Sequence, residues 1–190
     1  YSRYILGNGF SLIGTWMQRI AVGWLTWELT HSPAWLGIMA MADFAPVFLL
    51  GPLGGALADR YSRIMVMVWA QVAAALSALV LFALSASGIL NVWHLTIFTF
   101  LTGCAVGINQ PARLSLAPSL VPPELLTTAI SLNAMIFNGA RFVGPMISTV
   151  VITLWSIHGS FLINACSYAA LIIALLSLKI PRRKRPETDG

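Results

Sequence analysis

The chain has 190 residues, 58% of them hydrophobic and 9% charged, with a formal net charge of +5 and a mean hydropathy of +0.82. A soluble domain carries far more charge for its apolar content, so a bilayer must solvate this one, which argues against an aqueous enzyme. Two cysteines and three histidines leave no basis for a disulfide framework or a metal cluster.

Crossing about 30 Å of hydrocarbon as a helix takes about 20 apolar residues, and six stretches qualify: roughly 4–29, 34–57, 65–86, 92–111, 127–153 and 160–178. The first is too long for a cleavable leader and carries Trp16, Gln18 and Arg19 within it, so it should remain as a span. His31-Ser32-Pro33 turns the chain into the second. Asp59 to Arg63, Ser87-Gly88 with Asn91, Pro118 to Glu124, and Ser156 to Ser160 make the later turns, all rich in breakers or polar groups. Strands of a membrane barrel are short and alternating, so these long apolar runs exclude one. The expected fold is an all-α integral membrane protein with six transmembrane helices.

Orientation follows from Lys and Arg, which short cytoplasmic loops retain. Nine of the eleven fall on one side: Arg3, Arg60, Arg63, Arg113 and the cluster Lys179, Arg182, Arg183, Lys184 and Arg185. The alternate loops at 30–33, 87–91 and 154–159 have none, so both termini should be cytoplasmic. The sequence pI near 9.8 comes largely from the tail, which suits a juxtamembrane stretch on anionic lipid. No interleaved aromatic platform accompanies these charges, so nucleic acid is not an expected partner.

Between the second and third spans stands Gly54-Gly55-Ala56-Leu57-Ala58-Asp59-Arg60-Tyr61-Ser62-Arg63. This resembles the cytoplasmic loop signature of the major facilitator superfamily, departing from it at Ser62 and Ile64. The resemblance implies that Gly55, Asp59, Arg60 and Arg63 form a gating motif latching two halves of a carrier. Gly55 would permit close helix approach. A second run, Pro111-Ala112-Arg113 through Leu120-Val121-Pro122-Pro123-Glu124-Leu125-Leu126, continues into Ala129, Leu132-Asn133, Asn138, Ala140-Arg141 and Gly144-Pro145. It is similar to the branch of enterobactin-type siderophore exporters, the transmembrane secretion effectors.

Phe44 and Gly51-Pro52 recur as Phe137 and Gly144-Pro145, 93 residues on, in spans that run in opposite directions. This matches a 3+3 inverted repeat with helix-bend positions at Gly51, Pro52, Gly144 and Pro145, within half of a twelve-helix transporter. Residues 1–178 would form that N-terminal half and 179–190 the basic start of a central cytoplasmic loop. A chain opening on Tyr1 rather than Met fits a piece of something longer. The other half would come from the same parent chain or from a second copy.

Ionised groups within spans cost of order 3 kcal/mol and are kept for pairing or work. Arg19 and Asp43 lie at similar distances on either side of the turn near His31, and Arg141 reaches a comparable depth. Asp43 is expected to pair with Arg19 or Arg141, either as a permanent tie or as a pair that substrate or proton exchange breaks. Gln18, Asn109, Gln110 and Asn138 join Arg19, Asp43 and Arg141 as substrate or coupling candidates. Trp35, Trp93 and Trp155 suit the outer interface, and Trp16, Trp24, Trp27 and Trp69 suit lipid better than substrate.

No H-E-x-x-H, G-x-S-x-G or phosphate-cradling glycine loop with Lys occurs, so neither catalysis nor ATP drive is expected, and no cofactor is implied. The resemblance implies alternating-access export of a small molecule, a siderophore or amphiphilic drug, driven by an ion gradient across a bacterial plasma membrane. The branch pattern departs from drug:proton antiporters, since Phe100 stands three residues before Gly103 where Arg is common, and Ser148 and Thr149 follow Gly144-Pro145 where glycines are usual. Rival readings are a six-helix membrane scaffold and an uptake carrier on the same fold.

Overall fold

The computed structural model describes residues 2–178 and folds them into six helices: α1 Ser2–Thr30, α2 Pro33–Arg60, α3 Arg63–Ala86, α4 Val92–Ser119, α5 Leu126–Leu154 and α6 Ile157–Leu176, with a 3₁₀ turn at Pro123–Leu125 before α5. The expected basic loop start from Lys179 onward lies outside the described residues. Pro33 stands in the first turn of α2, where its missing N–H has no partner to lose. His31 turns the chain with φ 47°, a left-handed backbone that few side chains adopt.

Five helices, α2 to α6, are long and apolar enough to cross a membrane. The 29-residue α1 is long enough but is broken by polar groups, of which Asn8, Ser11 and Gln18 are buried in the bundle. The six expected stretches thus correspond to six helices, with one correction. Span four does not end at Pro111: α4 runs on through Pro111 and Pro118 to Ser119. Proline is tolerated inside a membrane helix where hydroxyls and neighbours occupy exposed carbonyls. Here Ser115 and Ser119 donate to the carbonyls of Ala112 and Leu116, and Arg63 donates to that of Ser115 at 2.9 Å. Arg113 is therefore a helical residue and not a loop charge.

The packing is that of an inverted repeat. Helix α1 packs mainly on α5 and α6, α4 packs mainly on α2 and α3, and α3 meets α6 between them. Exchanging the first three helices for the last three returns the same set of partners. Lipid tails are as apolar as the side chains, so close backbone approach must hold such helices together. A Cβ at Gly103 would lie 2.6 Å from the carbonyl oxygen of Asp43, one at Gly107 2.9 Å from that of Pro46, and one at Gly54 2.7 Å from that of Ile108, so α2 and α4 run parallel, backbone on backbone. Gly144 does the same for α5, where a Cβ would come 3.0 Å from the Ile13 carbonyl oxygen, and Ser148 Oγ donates to the Met17 carbonyl at 3.2 Å. Gly51 and Gly55 face no neighbouring atom within 4 Å. Close approach thus falls to Gly54 rather than Gly55, and the two Gly-Pro positions are not equivalent in packing.

Apolar side chains fill both ends of the bundle. One cluster joins Tyr4, Met67, Leu116 and Leu175, and the other Leu25, Met39, Leu81, Leu95 and Phe161. Between them lies a thin layer of Ala74, Ala78, Ala105 and Ala165 with Tyr168. Those alanines leave volume at mid-depth, and the cavity described below uses it. Gly107→Ala should therefore destabilise the protein by about 1–3 kcal/mol, the usual cost of overpacking, read as a lower unfolding temperature in detergent, whereas Gly51→Ala should change it little.

A candidate transmembrane cavity divided by an ion pair

The faces of α1 that meet α6 set the wall of this region. Gly14 leaves no room for a Cβ beside Ser167 and Asn164, and the close approach lets Asn164 Nδ2 donate to Gln18 Oε1 at 2.6 Å. One turn away the hydroxyls of Thr15 and Tyr168 lie 3.2 Å apart. These bonds lock α1 against α6 and leave the next face of α1, with Trp16 and Arg19, toward α2 and α5.

Arg19 Nε and Asp43 Oδ2 are 2.8 Å apart, with both side chains largely buried. The Arg19 guanidinium also lies between two rings, 4.6 Å from the centroid of Trp16 and 4.9 Å from that of Phe44. Rings present a negative face to a cation, so the guanidinium is neutralised by the carboxylate and further stabilised by both rings. The expected alternative partner, Arg141, does not reach Asp43; it stacks on Trp16 at 5.5 Å.

Two cavities flank this assembly. The first, about 310 Å³, is walled by Asn8, Thr15, Gln71, Asn109, Gln110, Arg113 and Arg141 among others. The second, about 270 Å³, is walled by Gln18, Met39, Asp43, Thr99 and Thr102 among others. Thr15, Trp16, Arg19, Phe44 and Tyr168 belong to both walls. The first lies toward the end of the bundle that holds Tyr4 and Leu116, the second toward the end that holds Leu25 and Leu95. Arg19 and the two rings thus stand between the two cavities, with Asp43 on the side of the second.

Of the substrate and coupling candidates, Arg19, Arg141, Asn109 and Gln110 line the first cavity, while Gln18 and Asp43 line the second. Asn138 does not belong to either wall: it is exposed and donates to its own helix at Ala134. Trp16 faces the cavity rather than lipid, unlike the exposed Trp24, Trp27 and Trp69. Arg113, expected as a cytoplasmic loop charge, instead donates to Gln110 Oε1 at 3.1 Å and lies over the Phe137 ring at 5.8 Å. Gln71, 5% exposed, went unread because a lone Gln in an apolar span carries no spacing signal. Of the residues expected to form a gate, Asp59 and Arg60 are exposed, and Arg60 lies over Tyr61 at 6.0 Å. Arg63 ties the start of α3 to α4 through Ser115.

A family model described as transmembrane secretion effector matches residues 4–188. The MFS-type transporter YfiS of Bacillus subtilis is 28% identical over 173 residues, which are 90% of this chain and 40% of that protein. The staphyloferrin A transporter of Staphylococcus aureus is 26% identical over 188 residues, 98% of this chain and 47% of the relative. Macrolide efflux protein A of Streptococcus pyogenes is 25% identical over 176 residues, 93% and 44% of the two chains. The chain spans about half the length of these relatives.

Removing one partner of a buried pair strands the other, at a cost of about 3–5 kcal/mol, whereas replacing both with apolar groups is far milder. Asp43→Leu should therefore lower the unfolding temperature in detergent more than Arg19→Met/Asp43→Leu together. Equal losses in the single and double variants would mean that the rings alone hold Arg19.

Proposed function

Because the chain belongs to the transmembrane secretion effector family of the major facilitator superfamily, we propose that it forms the N-terminal six-helix half of an exporter that moves a small molecule across a bacterial plasma membrane. A second six-helix half, from the same parent chain or from another copy, closes the cavity. Exposed apolar residues on α2 and α5, among them Met41, Phe48 and Leu49, and Met135, Phe142 and Met146, suit the face on which that half sits. The absence of Lys and Arg from the turns at His31-Ser32, 87–91 and 155–156 supports placing them outside and both termini in the cytoplasm.

The observation that carries this reading is the partition. A carrier works by alternating access, its halves rocking around a midplane site, and such a site needs a barrier that opens from one side at a time. Arg19 and Asp43 come from adjacent helices with few other contacts between them, so a shift of α1 against α2 parts the pair and joins the two cavities. Protonation of Asp43 or arrival of a charged substrate provides the energy difference between closed and open states, as a two-state switch requires. Gly55, Asp59, Arg60 and Arg63 serve as the cytoplasmic latch to the second half. Staphyloferrin A and macrolides, named in two relatives, set the range of substrate size to screen.

In efflux assays on the protein as expressed in membranes, with dyes, macrolides and siderophores as candidates, Asp43→Asn should abolish concentrative export and its pH dependence. Arg141→Ala should reduce export at normal membrane abundance. Unchanged export and pH profile in Asp43→Asn would reduce the pair to a structural tie.

A further inference from the structure

The inverted repeat carries its cation twice and its anion once. Arg19 of α1 stacks on Phe44 of α2, and Arg113 of α4 stacks on Phe137 of α5. In the second repeat these residues stand 94 and 93 positions on from their counterparts. The counterpart of Asp43, which neutralises Arg19, is Ile136. Arg113 therefore keeps the ring and lacks the carboxylate. Arg141 adds a third guanidinium to the same cavity, and among the described residues no Asp or Glu lines that wall and neither Arg113 nor Arg141 forms an ion pair.

Two polar groups on this wall are also unsatisfied. The side-chain oxygens of Gln71 and Asn109 are buried without a hydrogen-bond partner, and Gln71 is one-twentieth exposed. Guanidinium groups do not lose their proton in proteins and match carboxylates with two parallel hydrogen bonds. A pocket in a low-dielectric bundle that holds uncompensated cations and free amides is complementary to an anion that also bears hydrogen-bonding groups.

Resting on the exporter reading, we infer that the cavity between α1, α4 and α5 selects organic anions, binding a carboxylate at Arg113 and Arg141 and a flat apolar body against Trp16 and Phe137. Arg19, on the same wall, is neutralised by Asp43 behind it. Positive charge at Arg113 thus reads the substrate, while the partition passes it on.

The test uses the protein as expressed, purified in detergent, and calorimetric titration with naphthalene-2-carboxylate, the isosteric naphthalene-2-carboxamide and 2-naphthylmethylammonium. The carboxylate should bind at least about tenfold tighter than the amide, as charge-assisted bonds do. The ammonium should bind weakest, and Arg141→Gln and Arg113→Gln should each erase the preference. Arg141 is exposed, so its variant keeps the test decisive should Arg113→Gln not fold. Equal binding of all three ligands, or a carboxylate preference that survives both variants, overturns the inference and means that the rest of the protein neutralises these arginines. Efflux separates this from the exporter reading. Export of a cationic dye undisturbed by Arg113→Gln sinks anion selection and leaves transport standing, whereas carboxylate binding without export of any anion upholds selection and sinks transport.

Discussion

An arginine at mid-depth in a membrane bundle has neither water to solvate it nor a way to give up its charge, and the arrangement around Arg19 answers both problems at once. Its Nε meets Asp43 at 2.8 Å, and the guanidinium lies over the rings of Trp16 and Phe44. Much of the surrounding architecture follows from keeping those groups together. The Asp43 backbone is pinned because Gly103 brings α4 against its carbonyl. Trp16 is pinned because Gly144 seats α5 on the turn of α1 that carries it. The rear of α1 is held to α6 by Gln18 and Asn164. A polar pair thus determines where small residues must stand, which is the reverse of a soluble core, where apolar volume leads and polar groups are fitted afterwards.

The alanine layer at mid-depth has the complementary role. Larger side chains there would strengthen dispersion contacts but would fill the space beside Gln71 and Tyr168. The bundle instead concentrates bulky packing at its two ends and accepts a thin middle. Stability and an internal path are divided by depth.

Much of this was legible from the residues. Arg19 and Asp43 could be matched because two helices joined by a short turn place residues at equal distance from it at equal depth. The number of helices and the repeat could be read because apolar runs and Gly-Pro pairs are local signals. Arg113 was misread for a physical reason: Pro111 ahead of it suggested a helix end, and positive charge beyond an apolar run reads as a cytoplasmic loop. In the structure serine hydroxyls and Arg63 cover the carbonyls nearby, so the helix continues and carries Arg113 into the cavity wall. Asn138 failed differently. It follows Phe137 by one residue, about 100° around the helix, so a polar side chain beside a cavity residue turns away from the cavity. Trp16 shows that hydropathy does not distinguish a ring that faces lipid from one that faces a pocket.

The crossed packing of the repeats bears on how the chain assembles during synthesis. Each helix finds its main partners in the other repeat: α2 and α3 wait for α4, and α1 waits for α5 and α6. As the chain emerges, α1 carries Arg19 into the membrane, and α2 follows with its counter-ion. The pair spares each helix an unpaired charge in lipid, while the small-residue faces of α2 and α3 stay uncovered until α4 arrives. The same ion pair that divides the finished cavity is thus available earlier as an escort, bringing the least apolar helix into the bilayer alongside the next.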